Sequence, residues 1–189
     1  MRKGGICQMH TKLKKINEGF TIVETLIVLA IAALIITIVL IAVPALQRSA
    51  ANTNILHDAQ DIASTIQTFE GNNQGTLPGY IGQNGSNVCI ALAAPAVGSS
   101  SSCNGDQAKV QGSDQVASTS GSTTAVGYKA SGGAGSNFVG PGGIFVDLQA
   151  QCGTQGNTNT PTANIRGVAI FYPIEASSAS GSQVGCIQV

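Results

Sequence analysis

Charge is scarce in this chain. Only 10% of its 189 residues are Asp, Glu, Lys or Arg, nine of each sign, and the formal net charge is zero. With no surplus of Lys and Arg to neutralise phosphates, a basic nucleic-acid-binding protein is disfavoured. A highly charged disordered chain is disfavoured as well. Aromatic residues make up 4% and Trp is absent. Of the two histidines, His10 lies near the start and His57 stands alone beyond it. No G-x-S-x-G elbow or Ser/His/Asp grouping accompanies His57. The glycine-rich stretch 132–143 lacks the Lys-Ser/Thr that closes a phosphate loop. Asp147 and Glu175 fall on or near expected strands, but two carboxylates of unknown separation define no acid–base pair. Catalysis is not expected, and neither is a cofactor.

What the chain has instead is one concentrated apolar block. Residues 26–46 read LIVLAIAALIITIVLIAVPAL, 21 residues without a charge. As a helix rising ~1.5 Å per residue, the block spans ~30 Å, the thickness of a bilayer's hydrocarbon core. A soluble core helix is apolar on one face; this one is apolar all round. Five of the nine basic residues precede it: Arg2, Lys3, Lys12, Lys14 and Lys15, opposed only by Glu18. Basic residues on one flank hold that flank in the cytoplasm, so the remainder is expected outside. The block is longer than the ~7–15 residues of a secretory h-region. The one small-residue exit beyond it is the weak Ser49-Ala50-Ala51.

Another processing point lies before the block, in Lys14-Lys15-Ile16-Asn17-Glu18-Gly19-Phe20-Thr21-Ile22-Val23-Glu24. A basic leader ending in Gly, then Phe-Thr-x-x-Glu, then about twenty apolar residues, resembles the class III signal of type IV prepilins and the related pseudopilins. The resemblance covers residues 14–47, including Pro44-Ala45-Leu46-Gln47, which is similar to the family's Pro-Ala-x-Gln. It implies cleavage between Gly19 and Phe20 by a membrane aspartic protease, the prepilin peptidase, and N-methylation of Phe20. It further implies that Glu24 neutralises the free amine of Phe20 on a neighbouring subunit. A carboxylate in an apolar helix is costly in lipid, and such residues are usually paired and functional. The plainer role is attraction to the positive end of the helix dipole. Assembly by an inner-membrane platform and an ATPase follows from the same resemblance.

Removing residues 1–19 leaves four basic side chains (Arg48, Lys109, Lys129, Arg166) against eight acidic ones, a formal balance of −4. After the block the pattern becomes one-sided. Ile55, Ala59, Ile62, Ala63, Ile66 and Phe69 form a helical stripe, with Arg48, Asn52, Asp58, Asp61 and Gln67 largely on the remainder. One helix is expected from about residue 20 to 70, loosened at Pro44 and stopped near Gly71.

From Gly75 onward lie 20 of the 24 glycines and only seven charged residues. Short β-branched runs at 88–92, 123–128, 143–148, 165–174 and 184–189 read as strands between Gly, Ser, Asn and Pro turns. The last three suggest a small antiparallel sheet on the helix stripe. Residues 98–102 and 131–143 read as long loops. Of five cysteines, Cys7 leaves with the leader and four remain, which permit three pairings. Cys89–Cys103 with Cys152–Cys186 is the expected set, because each closes a local loop. A metal site is disfavoured, since no C-x-x-C pair or nearby His accompanies them.

The expected fold is thus α+β, type IV pilin-like: a long N-terminal helix, transmembrane in its first half, on a small antiparallel head. The expected divisions are a removable leader (1–19), a transmembrane or filament-core helix (20–46), its amphipathic continuation (47–72) and a disulfide-bearing β-rich head (73–189). The expected function is a homo-oligomeric pilus subunit, first a single-pass membrane precursor with its head outside, then part of an extracellular filament. The alternatives are a pseudopilin of a type II secretion or competence system, a surface protein that stays anchored without polymerising, and a secreted protein cut near Ala51.

Overall fold

The computed structural model describes residues 20–94, 103–111, 114–120, 126–130, 132–135, 138–153, 158–176 and 181–189. The leader, including Gly19, and the loop expected at 98–102 lie outside these. The chain forms two compact units, Met1–Ala42 and Val43–Val189. Secondary structure is one helix, α1 (Ile22–Asn72), and eleven strands among the described residues. The strands are β1 (Tyr80–Asn84), β2 (Asn87–Ala91), β3 (Asp106–Lys109), β4 (Gln115–Ser120), β5 (Val126–Tyr128), β6 (Ala134–Gly135), β7 (Phe138–Val139), β8 (Gly143–Gln151), β9 (Thr158–Asn159), β10 (Thr162–Ile174) and β11 (Gln183–Gln188).

In the first unit the described residues of α1 are all exposed, Leu29 at 66% and Ile36 at 59% among them. Isolated hydroxyls in this stretch are satisfied within the helix. Thr25 Oγ1 donates to the Ile22 carbonyl at 2.9 Å and Thr37 Oγ1 to that of Ala33 at 2.8 Å. Such back-bonding lets a polar side chain sit in an apolar surface without an orphaned donor.

In the second unit, the stripe expected from the sequence is buried: Ile55, Ala59, Ile62, Ala63, Ile66 and Phe69. It shares one core with Ile81, Val88, Ile90 and Ala108 of a three-stranded sheet ordered β1-β2-β3. The same core takes in Ile144, Val146, Leu148, Val168 and Ile170 from one face of a four-stranded sheet ordered β11-β10-β8-β4. The opposite face of that sheet contributes Phe145, Ala150, Ala169, Phe171 and Val184 to a second core, closed by Val126 and Val139 of a third sheet, β6-β7-β5-β9. Because β8 has both faces covered, its residues 143–148 are all buried, which is why they read as a nearly continuous apolar run. Phe145 and Phe171 pair directly across β8 and β10, with ring centroids 5.9 Å apart.

The head is therefore more elaborate than one antiparallel sheet. The three C-terminal runs do form antiparallel neighbours β8, β10 and β11. However, β4 joins them in parallel, from Gln115 beside Gly143 to Ser120 beside Leu148. The expected loop at 131–143 contains β6 and β7. The first two sheets meet edge to edge through side chains rather than a ladder. Gln83 Oε1 accepts from the Val116 amide at 2.7 Å, Gln83 Nε2 donates to the Asp114 carbonyl, and Ser118 Oγ donates to the Ile81 carbonyl at 2.9 Å. One carboxamide thus satisfies both a backbone donor and a backbone acceptor on β4's side.

α1 ends at Asn72, one residue beyond Gly71, where the stop is expected. A single glycine costs only ~1 kcal/mol in a helix. The helix ends where Gln74 and Gly75 take positive φ (58° and 77°) and the Gly75 amide donates back to the Glu70 carbonyl at 2.7 Å. Pro44 lies inside α1. Two cysteine pairs stand at disulfide distance: Cys89 with Cys103 (Cα–Cα 5.5 Å) and Cys152 with Cys186 (5.9 Å). The first ties β2 to the segment that leads into β3; the second ties the end of β8 to β11.

Candidate processing and assembly site

The N-terminal end of α1 carries the residues that the sequence motif singles out. Phe20 precedes the helix and is 82% exposed. Thr21 occupies the cap position: its Oγ1 accepts from the Glu24 amide at 3.2 Å, and its carbonyl accepts from the Glu24 and Thr25 amides at 3.1 and 3.2 Å. The spacing Thr21-x-x-Glu24 is that of a capping box, in which a hydroxyl at the cap meets the third helical amide. Glu24 is the acid of the first turn, placed to interact with the positive end of the helix dipole. The capping role of Thr21 is not among the expectations drawn from the sequence, although the S/T-x-x-E signal lies within the motif itself.

Phe20, Glu24, Thr25, Val28 and Leu29 line a shallow surface groove of about 430 Å³. All five are exposed. The groove gathers the aromatic ring of Phe20 and the carboxylate of Glu24 at one end of an apolar rod. Chemically it offers a negative charge beside apolar surface, which suits a cationic group carried on another apolar segment.

Elsewhere, the polar residues of the helix do more than face solvent. His57 only faces solvent, with its side chain 71% exposed and Nδ1 3.5 Å from Asp61 Oδ2 on the same helix. Asp58, expected on the polar side, is buried instead and its Oδ2 accepts from the Gln111 amide at 2.7 Å. Asn52, also expected there, is bonded to the backbone of Glu175. The reason is common to both: backbone groups that lack a ladder partner near the helix need one, and a carboxylate or carboxamide supplies it. Sequence periodicity cannot identify such residues, because polarity alone marks them as outward.

At the other end of α1, Glu70 has a buried Oε1 without a hydrogen-bond partner among the described residues, and burial raises its pKa above the ordinary value. Tyr172 is likewise pushed up by burial. Among the described residues, no group of three or more His, Cys, Asp or Glu side chains is arranged to hold a metal ion.

Comparison with protein families matches residues 14–40 to the prokaryotic N-terminal methylation motif. Comparison with curated proteins and with solved structures finds no match. The matched segment includes Gly19, Phe20, Thr21 and Glu24 and runs into the exposed apolar part of α1. It implies processing by a prepilin peptidase and assembly into a filament, and it suggests that the precursor is anchored in a membrane by this helix.

Proposed function

We propose, for a chain that carries a type IV pilin-like class III signal sequence, that it is a structural subunit of a type IV pilus or related filament. Cleavage falls between Gly19 and Phe20, and the new amine of Phe20 is methylated. The leader 1–19 leaves, 20–46 serves first as a membrane span and then as filament core, 47–72 anchors the head, and 73–189 is the exported surface. Glu24 receives the Phe20 amine of a neighbouring subunit. Cys89–Cys103 and Cys152–Cys186 are oxidised outside the cytoplasm.

The observation that carries this reading is the contrast along one helix: the span is apolar and unburied and lies largely within a methylation motif, while the apolar stripe from Ile55 to Phe69 is packed in the head. An unburied apolar rod is stable in lipid. It is equally stable against copies of itself, so transfer between the two need not expose it to water. The mass of the mature N-terminus tests processing. A first residue of Phe20 carrying one extra methyl group is the expected result; an intact leader or a start near Ala51 overturns it. Electron microscopy of fibres sheared from the cell surface, with the chain identified in them by peptide mass, tests the filament. A mature, methylated chain that blocks protein export when deleted, yet never appears in surface fibres, would instead identify a pseudopilin.

A further inference from the structure

The polar attachment of α1 within the second unit is concentrated at one end of the packed segment. From Val43 to Asn54 the helix is exposed, with two half-buried exceptions, Arg48 and Asn52. The first buried residue is Ile55. Just ahead of it, Asn52 Nδ2 donates to the Glu175 carbonyl at 2.9 Å, and the Glu175 amide donates to Asn52 Oδ1 at 2.8 Å. A side-chain amide here does what a neighbouring strand would do, satisfying both backbone groups of one residue. Glu175 is the first residue beyond β10, and the next amide, that of Ala176, donates to the buried Ser182 Oγ at 3.1 Å. Asp58 adds its bond to the Gln111 amide further along the helix. At the far end, the link from Asn72 Nδ2 to Asp106 Oδ2 is exposed and 3.4 Å long. Asn is a poor helix former. In the middle of α1, ahead of the first buried apolar residue, Asn52 is half-buried and bonded to the head, whereas Asn54 two residues on is exposed.

We infer that Asn52 is a latch that fixes where the helix separates from the head. With the latch closed, the helix is held from residue 52 onward. With it open, apolar packing holds the helix only from Ile55. In the filament reading above, on which this consequence rests, the latch sets how much helix is free to pack against sister subunits. Among the described residues, its bonds to Glu175 are also the first hydrogen bonds to the head that are loaded when the helix is pulled.

Hydrogen–deuterium exchange on the processed chain in detergent micelles tests the latch directly. The Glu175 amide is the direct reporter, since Asn52 Oδ1 is its partner. In Asn52→Ala, exchange at Glu175 and across residues 49–56 should quicken about ten-fold or more, as expected for a local opening. Amides of Val146 and Ile170 in the core sheet should be unchanged. Asn52→Asp retains the acceptor for the Glu175 amide but not the donor to its carbonyl, so Glu175 should stay protected. Unchanged exchange at Glu175 in Asn52→Ala overturns the inference. So does loss of protection at Val146 and Ile170 together with it, which would mark Asn52 as a general stabiliser. The second readout is resistance of surface fibres to shearing, expected to fall in Asn52→Ala. Equal resistance with faster exchange would overturn the role under tension. Absence of fibres from the unaltered chain would count against the filament reading while leaving the exchange result standing.

Discussion

Two stretches of a single helix, residues 26–46 and 55–69, are both rich in Ile and Ala, yet they meet opposite fates. In the first, apolar residues point in every direction and none of the described ones is buried. In the second, apolar residues keep to a stripe, and Ile62 and Ile66 are fully buried. The difference lies in pattern rather than in composition. A one-sided stripe can be covered from one side, and the head does so with two sheets. An all-round apolar surface cannot be covered by one neighbour. It needs a solvent of its own kind or several copies of itself.

The most severe way to break this contrast is to disable the polar group at the start of the exposed stretch. Glu24→Ala should leave cleavage after Gly19 intact while reducing surface filaments about ten-fold or more, because an uncompensated amine would remain within an apolar bundle. Quantitative immunoblotting of the sheared fraction beside the cell fraction reads both. Normal filaments from this variant would refute the assembly role.

A paired substitution sharpens the contrast within the helix. Ile62→Ala should lower the unfolding free energy of the head by about 2–5 kcal/mol, through lost burial and a cavity. Ile36→Ala should change it by less than about 0.5 kcal/mol, as for an exposed site. Denaturant unfolding in detergent, followed by tyrosine fluorescence of the head, measures both. Equal effects would show that the two stretches are not distinct environments.

The cysteine pairs stabilise only the head side of the comparison. Replacing Cys152 and Cys186 by Ser opens a link across 34 residues. It should cost about 3–4 kcal/mol, chiefly by freeing the unfolded chain. Peptide mapping without reductant should recover Cys89 with Cys103 and Cys152 with Cys186. Any other pairing would contradict the arrangement.

The smallest effect concerns Glu70, where burial raises the carboxyl pKa. A raised native pKa means that the folded state takes up the proton more readily than the unfolded chain. Stability linked to this group is therefore present at low pH, below the ordinary carboxylate pKa, and is lost as pH rises through the native value. Glu70→Gln should raise the melting temperature of the head slightly at neutral pH, with the gain shrinking as pH falls toward the carboxylate range. A gain of equal size at all pH values would remove titration as its cause.

Much of this architecture is legible in residue type and period. The span, the stripe, the motif from Gly19 to Glu24 and the strands containing Val88, Phe145, Ile170 and Val184 all announce themselves in that way. The strands β1, β3 and β4 do not. Their sequences, YIGQN, DQAK and QVASTS, are polar edge or half-covered segments whose pairing depends on neighbours remote in the chain. The parallel pairing of β4 with β8 has no local signal. Likewise, Asn52, Asp58 and Gln83 are polar residues in ordinary surface positions by pattern, and only the approach of Glu175, Gln111 and Val116 gives each a partner.

Sequence alone determined that this chain has a membrane-length apolar rod that a methylation motif leads into and partly covers, since hydrophobicity and period are local properties summed along a helix. Tertiary structure alone decided how the head closes around the stripe and which polar side chains complete it. Those choices depend on which unpaired backbone groups are brought within hydrogen-bonding distance, and that distance exists only once the chain has folded.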